Sequence, residues 1–152
     1  MPSITPSYLY TFIALMAVSS LLVFSFMAYS DTLRVFSETK QLKNLMDYVA
    51  AKSTELLTLT LATNATAEAY LQMPAAIGNK QFWLQLRNDS AKAWLEGGLG
   101  NILVEGTELR VYLPKEVSAT GYYIGGYGAA RLKCYANAEV PQVQLTSSTE
   151  GD

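Results

Sequence analysis

Residues 8–29 read YLYTFIALMAVSSLLVFSFMAY, an apolar run broken only by Thr11, Ser19, Ser20 and Ser25. The first charged side chain is Asp31, so every charge of this 152-residue chain lies on the C-terminal side of the run. At 1.5 Å per residue a helix of this length reaches about 33 Å, against roughly 30 Å of bilayer hydrocarbon. The run reads as a transmembrane helix, with Tyr8, Phe12, Leu15, Leu22, Phe26 and Tyr29 as anchor residues. Tyr8, Tyr10 and Tyr29 suit the aromatic belts at the two interfaces. A cleaved secretory signal is the competing reading, since Ala28-Tyr29-Ser30 offers small residues for a peptidase. Such a signal wants a basic start and an apolar stretch of about 7–15 residues, and neither is found here.

Outward from this run, the chain divides into an anchor (1–30), an amphipathic stem (31–56), a β domain (57–145) and a polar tail (146–152). In the stem Leu42, Leu45, Met46 and Val49 fall at i, i+3, i+4 and i+7, with Leu56 one heptad further on. Lys40, Lys43, Asp47, Lys52 and Glu55 occupy the other face. The stripe needs a cover, which the β domain or a second copy in a coiled coil would supply. The helix is expected to end near Glu55, because Leu57-Thr58-Leu59-Thr60-Leu61 alternates with period two and reads as a first strand.

Short runs rich in β-branched, aromatic or alternating residues follow at 68–73, 81–86, 91–95, 102–105, 108–113, 122–124 and 131–135. Turn signals separate them, among them Pro74, Gly78-Asn79, Asn88-Asp89, Gly97-Gly98, Pro114 and Gly125-Gly126. This spacing predicts an all-β antiparallel sandwich, immunoglobulin-like or a partly open barrel. One internal echo stands out. Met73-Pro74-Ala75-Ala76-Ile77 followed by Phe82-Trp83-Leu84 matches Leu113-Pro114-Lys115-Glu116-Val117 followed by Tyr122-Tyr123-Ile124, forty residues apart. Proline ends a strand because it cannot donate to the ladder, and Ile77 and Val117 are expected to tuck beneath equivalent turns.

Composition bounds the chemistry. A net charge of -2 and a pI near 5.1 argue against nucleic acid as a partner. The chain has no histidine and one cysteine, Cys134, which reads as a buried thiol. Neither a nucleophile–base pairing nor a metal-ligand spacing is present, so the chain reads as a non-enzyme without a cofactor or metal. Gly97-Gly98-Leu99-Gly100 reads as a hairpin turn, because no Lys and Ser or Thr follow it as in a phosphate loop. Glu96, Glu105, Glu108 and Glu116 read as solvated turn charges, and Tyr122 to Gly128 as a glycine-loosened strand and loop with buried rings. Asn64 and Asn88 open the sequons Asn64-Ala65-Thr66 and Asn88-Asp89-Ser90, acceptors for a glycan only if the body lies outside the cell. Charge flanks would place the body in the cytoplasm; its Tyr, Thr and Ser content and hairpin texture favour the outside.

An uninterrupted apolar helix leading into an amphipathic stem and a small Tyr- and Gly-rich β domain with sequons resembles the archaeal type IV pilin-like proteins and the membrane-anchored accessory subunits of the archaellum. The likeness is architectural. It implies a helix that anchors the protein or packs in a filament core, an outward-facing body, and self-association or other envelope subunits as partners beside the lipid bilayer. The chain departs from a true pilin in two respects. No basic residue and glycine precede the run where a prepilin peptidase would cut, and Thr5 stands where bacterial pilins usually carry glutamate. An unprocessed accessory anchor follows if Met1 is the start, and a polymerising subunit if the chain is already mature. The alternative is a surface binding module that offers aromatic strands to a glycan, an S-layer or a peptide edge.

Overall fold

The structure, a computed structural model, describes residues 5–100, 109–114, 117–136 and 140–148. One helix, α1 (Thr5–Thr63), precedes seven strands: β1 (Ala67–Leu71), β2 (Phe82–Asn88), β3 (Ala93–Leu99), β4 (Leu109–Tyr112), β5 (Ser118–Ile124), β6 (Ala130–Ala136) and β7 (Pro141–Ser147). Contacts divide the chain into two units, Met1–Ser37 and Glu38–Asp152. Within the first unit α1 is exposed from Pro6 onward and carries no charge before Asp31. Thr11 Oγ1 donates to Ser7 O at 2.9 Å and Ser20 Oγ to Met16 O at 2.8 Å. These i−4 bonds satisfy the two hydroxyls within the helix itself.

In the second unit α1 lays a stripe on the sheet. Glu38, Leu42, Met46, Val49, Ala50, Ser53, Leu56, Leu57 and Thr60 are buried, a spacing of three and four that keeps them on one face. The structure corrects the expected end of the helix and the expected first strand: residues 57–61 are helical. Leu-Thr alternation satisfies the helix as well, because Leu57 and Thr60 fall on the stripe while Leu59 and Leu61 point to solvent. The threonines bond back to the preceding turn, Thr58 Oγ1 to Thr54 O at 2.8 Å and Thr63 Oγ1 to Leu59 O at 2.8 Å. Asn64, at φ 52°, then ends the helix in the left-handed conformation that asparagine tolerates.

All seven described strands hydrogen-bond into one sheet of order β1-β6-β7-β5-β2-β3-β4. The sheet is mixed, which corrects the all-antiparallel expectation: β5 and β7 run parallel, from Ser118↔Gln142 to Gly121↔Leu145. The chain leaves β5, passes over the place of β7 to form β6, and returns antiparallel to β6. Two reversals make β7 parallel to β5. The longer reach of the β5–β6 connection is met by Gly126 and Gly128, at φ 95° and 85°. β7 itself was missing from the expected strands, although Val143 and Leu145 alternate with Gln142 and Gln144.

Strand alternation gives the sheet two faces. The helix side carries Leu84, Leu86, Leu95, Tyr123, Leu132, Cys134, Val143 and Leu145, buried with the α1 stripe in a single core cluster. Gly97 and Gly98 lie inside β3 and not in a turn. A Cβ on Gly97 would stand 2.9 Å from both Met46 Sδ and Leu84 Cδ2, and one on Gly98 would stand 2.8 Å from the Trp83 indole. The pair is glycine because α1 presses on one face and Trp83 on the other. The segment expected as a strand at 102–105 lies outside the described residues.

Candidate functional site

In the first unit, the anchor residues Tyr8, Phe12, Leu15, Leu22, Phe26 and Tyr29 are between 60% and 74% exposed. They are not alone: every residue from Pro6 through Phe36 is exposed. Pro6–Thr63 is long and apolar enough to cross a membrane. An apolar surface of this extent far exceeds the few hundred Å² that a soluble monomer normally leaves open. The sequence expected these side chains to face lipid; within the first unit none of the described residues covers them.

Of the stem residues, Leu42, Met46, Val49 and Leu56 are buried against the sheet, whereas Leu45 is half-buried at the edge of the cluster. The stripe begins with Glu38, 3% exposed, whose Oε2 lies 3.0 Å from Lys80 Nζ without the approach angle of a hydrogen bond. A Cβ on Gly78 would stand 2.5 Å from Glu38 Oε1. The turn that carries Gly78, closed by Ile77 and Lys80 through paired backbone bonds of 3.0 and 3.1 Å, thus sits directly on the carboxylate. Ile77 and Val117 are both buried. The two halves of the echo meet in the sheet, where Trp83 pairs with Ile124 and Leu84 with Tyr123.

The sheet face away from α1 is polar and aromatic, and one cluster on it escaped sequence reasoning. Glu96, read as a solvated turn charge, is only 1% exposed and sits in mid-strand. Trp94 Nε1 donates to its Oε1 at 2.6 Å, Arg110 Nε lies 3.1 Å from Oε1 and Arg87 Nη1 3.5 Å from Oε2. The Arg110 guanidinium also lies 5.9 Å from the Trp94 ring centroid. A carboxylate so buried is sustained by paired cations and charge-assisted hydrogen bonds. The sequence shows only that Trp94, Glu96 and Gly98 share one strand phase; the register that sets Arg87 beside Trp94 and Arg110 beside Glu96 brings the cations in from two other strands. A second pair lies across β1 and β6: Arg131 grips Glu68 through bonds of 2.6 and 2.9 Å, which hold the Glu68 carboxyl below its ordinary range. Glu105, Glu108 and Glu116 lie outside the described residues.

Tyr123 is buried, its hydroxyl donating to Gly128 O at 2.6 Å, and Phe82 stands 6.2 Å from it. Tyr127 is 57% exposed, which corrects the expectation of uniformly buried rings in this segment. Cys134 is fully buried, and burial pushes its thiol up to about 11. Among the described residues no group of three His, Cys, Asp or Glu is placed to hold a metal. Asn64 at the end of α1 and Asn88 at the end of β2 are exposed. Asn88 also lines a shallow cleft of about 470 Å³ with Gln85, Arg87, Asp89, Trp94 and Thr120, so a glycan there would stand in its mouth. No protein-family model matches the chain, and no curated protein or solved structure matches it either.

Proposed function

We propose that the chain is a membrane-anchored structural or assembly protein of the cell envelope, either a pilin-like filament subunit or an accessory anchor. The observation that carries this reading is the exposed, charge-free apolar surface of α1 from Pro6 through Ser30. Such a surface is stable in only two settings, lipid or a packed bundle of like helices. Internal satisfaction of Thr11 and Ser20 suits both. The body is the outward-facing part, and Asn64 and Asn88 are its glycan acceptors.

The test begins with cells that express the whole chain. Carbonate-washed membranes should retain it, and protease added to intact cells should digest the body after about residue 63 while leaving a fragment that contains residues 8–29. Release of the chain into the carbonate wash would refute the anchor, and protection of the body until lysis would reverse the orientation. Electron microscopy of detergent-free surface preparations then separates the two roles, since only a filament subunit is found along a fibre.

A further inference from the structure

β5 changes partner halfway along its length. Residues 118–121 pair with β7 and residues 121–124 with β2, so Gly121 belongs to both ladders. Its φ is 127°, and a Cβ there would lie 2.0 Å from Leu145 O, so the switch is made at a residue where only glycine fits. The antiparallel β2–β5 register stops at Leu86↔Gly121. Carried on, it would set Arg87 opposite Thr120, Asn88 opposite Ala119 and Asp89 opposite Ser118. Those residues line open space instead. Arg87, Asn88, Ala119 and Thr120 border the cleft of about 470 Å³. Asn88, Asp89 and Ser118 border an adjoining one of about 290 Å³, which Lys92, Val117 and Val140 complete.

The sheet therefore contains an internal split. On one bank β2 remains paired to β3 through Asn88↔Ala93; on the other β5 remains paired to β7. Because alternate residues of a strand face opposite edges, the groups turned to the split are those of Asn88 on one bank and Ala119 on the other, and among the described residues neither has a ladder partner across it; Asp89 N is taken by Lys92 O at 2.8 Å. Unpaired strand-edge groups of this kind are what an added extended segment satisfies.

We infer that this split is an acceptor slot for an extended, acidic peptide segment of a partner protein. An extended backbone laid between Asn88 and Ala119 offers donors and acceptors to both banks at once while its side chains alternate between the two sheet faces, which a sugar or a helix does not. Side chains of the segment alternate between two environments. One meets Val117 and Val140, and the other meets Arg87 and Lys92, which among the described lining residues outnumber the one carboxylate, Asp89. Arg110 lies nearer to Glu96 than Arg87 does, 3.1 against 3.5 Å, so Arg87 keeps donors for a second carboxylate. The slot lies wholly within the unit Glu38–Asp152, and the inference holds whether or not α1 enters a bilayer.

The test uses the full chain, labelled with nitrogen-15, in detergent micelles, and a capped hexapeptide of alternating valine and glutamate as probe. Millimolar peptide should shift the amides of Arg87, Asn88, Ser118, Ala119 and Thr120 and slow the exchange of those that point into the slot. Lys92→Glu, at an exposed position, should weaken that binding roughly three- to tenfold while leaving the spectrum elsewhere unchanged. The same peptide with alternate backbone nitrogens methylated should not bind. Equal binding of the methylated peptide would overturn strand addition, and unaltered slot amides with the parent peptide would overturn the slot. Shifts produced by a neutral oligosaccharide and not by the peptide would reassign the cleft to a glycan. Shifts that grow with protein concentration in the absence of peptide would reassign it to a second copy of the chain.

Discussion

Gly97 is the point at which the helix and the sheet of the body can be tested against each other. Its absent side chain leaves the space that Met46 Sδ and Leu84 Cδ2 fill, each 2.9 Å from where a Cβ would stand. Gly97→Ala should therefore overpack the contact, at a cost of about 1–3 kcal/mol. Lower entropy of the unfolded chain returns about 0.4–1 kcal/mol, which leaves a net destabilisation of roughly 1–2 kcal/mol. Met46 is fully buried, so Met46→Ala opens a cavity and should cost about 2–5 kcal/mol. In the double variant the new methyl enters part of the vacated volume and no longer meets the sulfur. The double variant should then be more stable than the sum of the singles by about 1–2 kcal/mol, within the range for residues in contact. Urea unfolding in mild detergent, followed by the fluorescence of Trp83 and Trp94, measures all four corners of the cycle. Additivity within about 0.5 kcal/mol, or a Gly97→Ala variant more stable than the parent, would refute the packing of α1 on β3.

Val49→Asp buries an unpaired charge in the stripe and should cost several kcal/mol, enough to abolish accumulation; Leu45→Asp, half-buried, should cost less and Lys43→Asp almost nothing, as protein levels will show. Ile77→Ala should destabilise by about 2–4 kcal/mol and Val117→Ala by somewhat less, whereas Ala76→Ser at an exposed position should stay within about 0.5 kcal/mol in the same urea melts. Cys134 should resist maleimide in the folded chain and react once unfolded. Its folded thiol titrates near 11, above its ordinary value of 9.0. Its contribution is therefore complete below pH 9 and lost as pH rises towards 11, a decline that Cys134→Ala should remove from the alkaline melts.

The sequence by itself determined the local elements whose cause is local. An apolar run free of charge and of Gly or Pro from Leu9 to Tyr29 has no alternative to a buried or lipid-facing helix, and the 3.6-residue period of Leu42, Met46 and Val49 already marked the face that needed a cover. Most strands were legible from alternation between turn residues, and the burial of Ile77 and Val117 was legible from the proline turns that precede them. Tertiary structure decided what two local patterns share. Leu57 to Leu61 alternates like a strand yet also fits the stripe, and the sheet beneath Leu57 and Thr60 resolved it as helix. Gly97-Gly98 looks like a turn because the side chains that require glycine there, Met46 and Trp83, are distant in the sequence. Glu96 looks solvated because its partners Arg87 and Arg110 come from two other strands. The parallel β5–β7 pair and the split at Gly121 belong to the same class, since strand order is set by which edges bury the most surface together, and no stretch of one strand encodes its neighbour.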